Sequence, residues 1–187
     1  MANIKLGGTT AISESSGTIS IPAAVTGGSG LTSAGPQEAD LWRLHTSFAG
    51  DLEPLTNLER DDTYGFSGAL GSGMTVNSGI FTFPSTGFYH VNVHMECQYV
   101  ASDSGRYLYL GVTTNGGSNW NTASVGRLKM TVNGGQFTGC STNKIVDVTS
   151  LTDVKVRFGV VGNAATTTLG SSTENRTFIT FIKLGET

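Results

Sequence analysis

Residues 79–99 read GIFTFPSTGFYHVNVHMECQY, and this stretch decides the fold. An apolar run ends at Phe83, turn-forming residues follow at 84–87, and a long alternation begins. Its apolar positions are Tyr89, Val91, Val93, Met95 and Cys97. Its polar positions are His90, Asn92, His94 and Glu96. This period of two is typical of a β-strand with one face on a core. We expect a strand, a tight turn and a second strand, joined as a hairpin.

The composition of the whole chain favours an all-β protein. The 187 residues include 26 glycines, and only 13% of the chain is charged. β-Branched and aromatic residues make up most of the apolar set, and Gly-containing turns separate short alternating runs. Outside the first 36 residues we therefore expect an antiparallel β-sandwich of about eight to ten short strands.

Charge and hydropathy exclude several classes of partner. The formal net charge is −3, and no run of Lys or Arg exceeds one residue, so a nucleic-acid partner is not expected. No apolar run approaches the roughly 20 residues that span a bilayer, and residues 1–8 lack the apolar segment of a signal peptide. We expect a protein made in a cytoplasm, without membrane insertion. No cofactor or metal motif is present.

Two other segments carry specific expectations. Residues 74–83 predict one strand with a bulge at Gly79. Residues 162–175 predict a long polar loop. The cysteines, Cys97 and Cys140, do not form a disulfide framework, and whether they pair stays open.

The strand predicted at residues 177–184 is apolar on both faces. Phe178, Ile182 and Leu184 share one face, and Ile179 and Phe181 share the other. A strand of this kind is covered on both sides. One face meets the core, and a second subunit is the natural cover for the other. We assign Ile179 and Phe181 to that interface.

Residues 1–36 differ from the rest of the chain. They are rich in Gly, Ser, Thr and Ala, and they contain no aromatic residue. Their apolar patches are too short to fold alone. We expect an extended attachment arm over residues 1–36 that joins a partner by strand addition, followed by a domain over residues 37–187. The attachment residues that we assign are Ile4, Leu6, Ile19 and Ile21.

The central stretch resembles the globular head of complement component 1q and its relatives in the tumour necrosis factor superfamily. Those domains carry a G-x-F-x-x-P-x-x-G-x-Y core, matched here by Gly79, Phe81, Pro84, Gly87 and Tyr89. The resemblance implies a two-sheet antiparallel jelly roll of ten strands that assembles as a homotrimer, with one sheet facing the threefold axis. Separately, the sequence indicates neither a pocket nor a nucleophile, so we expect no enzymatic activity.

The arm resembles a different class of protein. The segments GGTTAIS at 7–13 and GTISIP at 17–22 are similar to attachment segments of bacteriophage fibres and other virion proteins, notably those of marine phages, including the cyanophage type. This resemblance implies a virion protein that binds a capsid or tail protein through its arm. Capsid and tail locations remain open alternatives.

The histidines of the long strand are the first candidate site. His90 and His94 project from one face with Asn92 between them. We assign all three to the trimer interface, where they are hydrogen-bonded polar groups. A metal site or a pH-sensitive interface is the alternative.

Two further groups of residues are candidate sites. Glu59, Asp61 and Asp62, with Asp103, could supply oxygens to calcium or act as catalytic carboxylates, but we expect a solvated acidic loop. Trp120, Tyr107 and Tyr109, with Asn119, could form a surface that stacks against a sugar, and a place in the core or in a subunit interface is the alternative for these aromatic residues.

The sequence thus predicts a non-enzymatic phage structural protein, located in the virion as a trimeric head, tail fibre or decoration protein. The alternative is a receptor-binding tip module that recognises a glycan or another component of the host surface.

Overall fold

The structure, a computed structural model, describes residues 3–6, 9–15, 18–20, 36–65, 68–99, 104–130, 135–162 and 165–187. The chain divides into two compact units, Met1–Gly35 and Pro36–Thr187. All regular structure in the described residues is β-strand. These residues include no helix long and apolar enough to cross a bilayer.

The first unit contains three short antiparallel strands. They are β1 (Asn3–Leu6), β2 (Thr9–Ser15) and β3 (Thr18–Ser20), paired in the order β1-β2-β3. The sequence predicts an extended arm here, whereas the described backbone folds back on itself twice. Ile21 lies outside the described residues, as do the side chains of Ile4, Leu6 and Ile19.

The second unit is a sandwich of two antiparallel sheets. The larger sheet has eight strands: β4 (Ala39–Leu44), β5 (Phe48–Ala49), β6 (Leu58–Arg60), β7 (Ala69–Leu70), β10 (Gly87–Tyr99), β13 (Phe137–Val148), β15 (Thr166–Thr168) and β16 (Phe178–Gly185). The smaller sheet has five: β8 (Thr75–Asn77), β9 (Ile80–Thr82), β11 (Ser104–Thr114), β12 (Asn121–Met130) and β14 (Val154–Gly162). The predicted all-β, two-sheet architecture is confirmed.

Strand β10 is the centre of the larger sheet. It pairs with β13 along one edge, and with β16 and then β15 along the other. Strand β16 in turn pairs with β4. The smaller sheet has the order β12-β11-β14-β9-β8.

The core lies between the two sheets. The alternating apolar residues of β10 from Tyr89 to Cys97 are at most 1% exposed, which confirms the face that the alternation predicts. An aromatic cluster joins the sheets, because the ring of Phe81 lies 5.5 Å from Trp42, 5.7 Å from Phe158 and 5.1 Å from Phe181. Edge-on and tilted contacts of this kind stabilise aromatic pairs beyond their buried area.

The central stretch is not a hairpin. Strand β9 pairs with β14 and β8 in the smaller sheet, whereas β10 belongs to the larger sheet. The turn between them therefore carries the chain from one sheet to the other. The bulge predicted at Gly79 is also wrong. It forms, with Ser78, a two-residue loop between paired β8 and β9, and both have positive φ (49° and 78°). This is the conformation of a tight hairpin turn and not of a bulge.

The segment predicted as a long polar loop contains β15. Its three threonines pair with β10 at residues 97–99 and with β5. Thr166 and Thr168 are fully buried. Strand β15 therefore extends the larger sheet beyond the end of β16.

Candidate functional site

The outward side of the larger sheet brings polar and apolar side chains together. In the register of β10, His90 lies between Ile145 of β13 and Ile182 of β16. Four residues further along β10, His94 lies between Ser141 and Phe178. The core-facing residues of β10 alternate with these positions. The histidines therefore share a surface with apolar residues of the neighbouring strands.

We call this surface the assembly face and define it by Phe88, His90, Asn92, His94, Ile145, Phe178 and Ile182. Large apolar side chains on this side of the sheet are well exposed, among them Phe88 (39%), Ile145 (56%) and Leu184 (57%), with Phe137 (58%) at the start of β13. Neighbouring exposed apolar side chains on a sheet face are typical of an interaction surface. The structure thus places His90, Asn92 and His94 together among apolar neighbours. Whether they contact another subunit stays a prediction.

His94 is the most constrained of the three polar residues. Its Nδ1 lies 2.8 Å from the hydroxyl of Ser141, and its ring centroid lies 5.3 Å from that of Phe178. Burial lowers the pKa of His94, although the nearby Glu96 carboxylate acts in the opposite direction. The neutral imidazole is therefore favoured at this position.

Ile179 and Phe181 do not belong to the assembly face, and the prediction for these two residues is wrong. They are 0% and 1% exposed and pack in the core between the sheets. Phe178 and Ile182 point outward instead, opposite His94 and His90. Because β16 is apolar on both faces, only its pairing register determines which set is internal.

Ile145 and Phe88 were not predicted as part of this surface. A signal for Ile145 exists in the sequence, because Ile145-Val146 interrupts the alternation of β13. Two adjacent apolar residues in a strand point to opposite faces, and Val146 is the buried one.

The acidic residues predicted as a solvated loop instead surround a buried arginine. Arg43 is 1% exposed. Its Nε donates to Glu59 at 2.6 Å, and its Nη1 donates to Asp61 at 2.6 Å. Its Nη2 donates to Asp62 at 2.7 Å and to the carbonyl oxygen of Ser172 at 2.6 Å. The guanidinium thus holds the 59–62 segment against the loop before β16.

Asp61 is the buried carboxylate of this cluster. Burial alone would raise its pKa, but hydrogen bonds from Asn175 and Thr63 and the charge of Arg43 outweigh that effect and hold the pKa below its ordinary value. Because the carboxylates are already paired with Arg43, the calcium and catalytic alternatives have no support at this position. Asp103 lies outside the described residues. No group of three His, Cys, Asp or Glu side chains in the described part of the chain is arranged to hold a metal ion.

A second surface lies on the outward side of the smaller sheet. Tyr107 and Tyr109 of β11 are stacked, with centroids 6.3 Å apart and planes inclined by 19°. The guanidinium of Arg127, on the neighbouring β12, lies 5.7 Å from the ring centroid of Tyr107. We call Tyr107, Tyr109 and Arg127 the aromatic strip.

The predicted surface residues Trp120 and Asn119 lie beyond the end of this strip. Trp120 is half-buried beneath Arg157, whose guanidinium lies 4.6 Å from its ring centroid and 3.2 Å from the Glu53 carboxylate. Asn119 is exposed, and its backbone N–H donates to the side-chain oxygen of Asn115 at 2.9 Å. Since Arg157 covers part of the indole, Trp120 offers less of its ring to a ligand than the sequence suggests.

The two cysteines are free thiols. They lie on adjacent strands but not opposite each other, because Cys140 pairs with Met95 and Cys97 pairs with Thr138. Burial raises the pKa of Cys97 to about 11. Cys97 thus acts as a small apolar group in the core.

Comparison with known proteins identifies the fold. No family model and no curated protein matches this chain. Among solved structures, Eiger TNF from S. frugiperda is 16% identical, with a TM-score of 0.59 over 81% of this chain and 95% of that one. Murine APRIL, crystallised at pH 5.0, is 13% identical, with a TM-score of 0.56 over 79% of this chain and 98% of that one. The chain therefore has a TNF-like jelly-roll fold, and at these identities the likeness extends to the fold alone.

Proposed function

We propose that residues 37–187 form a homotrimer through the assembly face and serve as a non-enzymatic structural module of a virion. The observation that carries the trimer is the exposure of Phe88, Ile145 and Leu184 on one side of a sheet. Covering them removes apolar surface from water, at about 25 cal/mol per Å². The TNF-like fold supports the same arrangement. The complement 1q and tumour necrosis factor domains, which the central stretch resembles, assemble through the corresponding sheet.

The N-terminal unit would attach this trimer to the particle. It is a separate compact unit, and its strands β1 and β3 are short. Backbone hydrogen bonds at a sheet edge supply affinity without special side chains, which suits a segment rich in Gly, Ser and Thr. Its resemblance to phage attachment segments supports a capsid or tail protein as the partner.

The oligomeric state tests the first part of this proposal. Light scattering after size exclusion should give three times the chain mass of 19.5 kDa. Ile145→Asp or Ile182→Asp should yield folded monomers, because each would bury a carboxylate in the interface. Leu151→Asp is the matched control, since Leu151 is 38% exposed in the turn between β13 and β14. A wild-type monomer at tens of micromolar, or trimers that survive both substitutions, would refute the interface.

Deletion of residues 1–36 tests the second part. The shortened protein should remain a folded trimer but should no longer sediment with particles that bind the full chain. Loss of folding would show that the segment belongs to the core, and unchanged sedimentation would show that attachment resides elsewhere.

A further inference from the structure

A cleft opens beside the aromatic strip on the outward side of the smaller sheet. Its lining is Gly105, Tyr107, Arg127, Leu128 and Lys129, and its volume is about 480 Å³. Ligand pockets commonly fall between about 300 and 1,000 Å³. The cleft is on the sheet opposite the assembly face, so trimer formation through that face leaves it open.

Tyr107 forms an aromatic wall of the cleft. Its side chain is 39% exposed, and Tyr109 stacks behind it at 6.3 Å. The C–H face of a pyranose can pack on such a ring, because that face is apolar and flat.

Glycine leaves room beside that wall. A methyl group added at Gly105 would meet a single neighbour within 4 Å, the carbonyl oxygen of Leu128 at 3.6 Å. The space over the strand is therefore open next to Tyr107. A ring-sized ligand can approach the backbone there.

The charged side chains that line the cleft are cationic. Arg127 and Lys129 are its two charged lining residues, and no carboxylate lines it among the residues that the structure describes. Arg127 has no carboxylate partner within the described chain, and its guanidinium lies over the ring of Tyr107. Arg157, on the same side of the sheet, is instead paired with Glu53 at 3.2 Å. Arg127 thus retains donors for a carboxylate, which a guanidinium binds through two parallel hydrogen bonds.

We propose that this cleft binds a carboxylated saccharide, such as a uronic-acid residue of a polysaccharide. The guanidinium of Arg127, which is exposed, leaves the face of Tyr107 to donate hydrogen bonds to the carboxylate, and the sugar ring takes its place on Tyr107. This inference does not depend on the trimer or on a virion, although three copies in one assembly would add avidity for a repeating polymer.

Calorimetric titration of the full chain with a tetragalacturonate tests the assignment. The affinity should decrease about tenfold or more in Tyr107→Ala and in Arg127→Gln. It should persist in Tyr107→Phe, because this variant keeps the ring. Lys144→Gln is the matched control, since it removes an exposed cation from β13 in the other sheet. Circular dichroism and melting curves confirm that each variant is folded.

Two comparison ligands sharpen the test. A neutral tetrasaccharide should bind at least about tenfold more weakly than the uronate, because it lacks the carboxylate. A tetraglutamate peptide should also bind weakly, because it lacks the ring. Failure of the uronate to bind at millimolar concentration, equal binding of either comparison ligand, or full binding by Arg127→Gln would overturn the proposal.

Discussion

The imidazole of His94 lies against the ring of Phe178, with centroids 5.3 Å apart and planes inclined by 32°. The contact joins β10 to β16 at a register pair of the larger sheet. It partly removes the imidazole from water, and this burial lowers the pKa of His94 below its ordinary value of 6.5. The stability of the unit therefore depends on pH through this residue.

The sign of this dependence follows from the lowered pKa. The unfolded chain binds a proton at His94 more readily than the folded chain does, so the free energy of unfolding should decrease as the pH falls below about 6.5. His94→Asn should reduce the loss of stability between pH 7.5 and pH 5. Urea unfolding of the wild type and of this variant at pH 7.5 and pH 5 measures the loss of stability in each. Asp61 does not interfere, because its lowered pKa places its titration at more acidic pH. Identical pH slopes in the two proteins would contradict the prediction.

Arg43 should be a major contributor to stability. Arg43→Met removes the partner of buried Asp61 and should cost about 3–5 kcal/mol, because an uncompensated buried charge remains. For a unit of this size the melting temperature should decrease by about 10 °C. Arg176→Met is the control, since its pair with Glu174 is on the surface and should contribute about 0–1 kcal/mol. Equal melting temperatures for the two variants would show that the cluster around Arg43 is not needed.

Gly79 and Gly50 provide a matched pair that separates backbone strain from collision. Their φ angles are nearly equal, at 78° and 81°. A methyl group at Gly50 would meet no neighbour within 4 Å, whereas one at Gly79 would collide with the carbonyl oxygen of Leu55. Gly50→Ala should cost about 1–2 kcal/mol from the left-handed backbone alone. Gly79→Ala should cost about 1–3 kcal/mol more, because the turn must shift. Denaturant unfolding measures the difference, and equal costs would exclude the collision.

Cys97 should be unreactive in the folded protein. With a pKa of about 11, its thiolate is scarce at pH 8. Reaction with a thiol reagent should be at least about a hundredfold slower than in the unfolded chain. The Cys140→Ser variant isolates Cys97 for this measurement, and Cys97→Ala isolates the less buried Cys140, which should react faster. Rapid labelling of Cys97 under native conditions would contradict its placement in the core.

The local pattern predicts strands well, and the pairing of strands poorly. The alternation from Tyr89 to Cys97 predicts both β10 and its buried face, because a period of two has one physical explanation at that length. The turn at 84–87 does not show whether its flanking strands pair. The same turn residues serve a hairpin and a crossing between sheets, and the partner of Ile80 lies far away in β14.

The same limit applies to the assembly face. Strand β16 is apolar at 178, 179, 181 and 182, so its sequence fits either orientation. Register with β10 places Ile179 and Phe181 inside, and that register is a long-range property. Likewise, Thr166 and Thr168 look like loop residues, since a short polar strand has no apolar alternation to reveal it. Arg43 was missed as the centre of the acidic cluster because its partners reach it through the long-range pairing of β4 with β6.

The position of β16 has a consequence for how the unit is made. This strand lies between β4 and β10, so the C-terminal strand of the unit fills the middle of its larger sheet. The sheet cannot close before residues 178–185 leave the ribosome, and until then β4 and β10 have open edges. Pairing between distant parts of a chain is slow. A chain cut short before residue 178 would keep both edges exposed, which makes aggregation or degradation its expected fate.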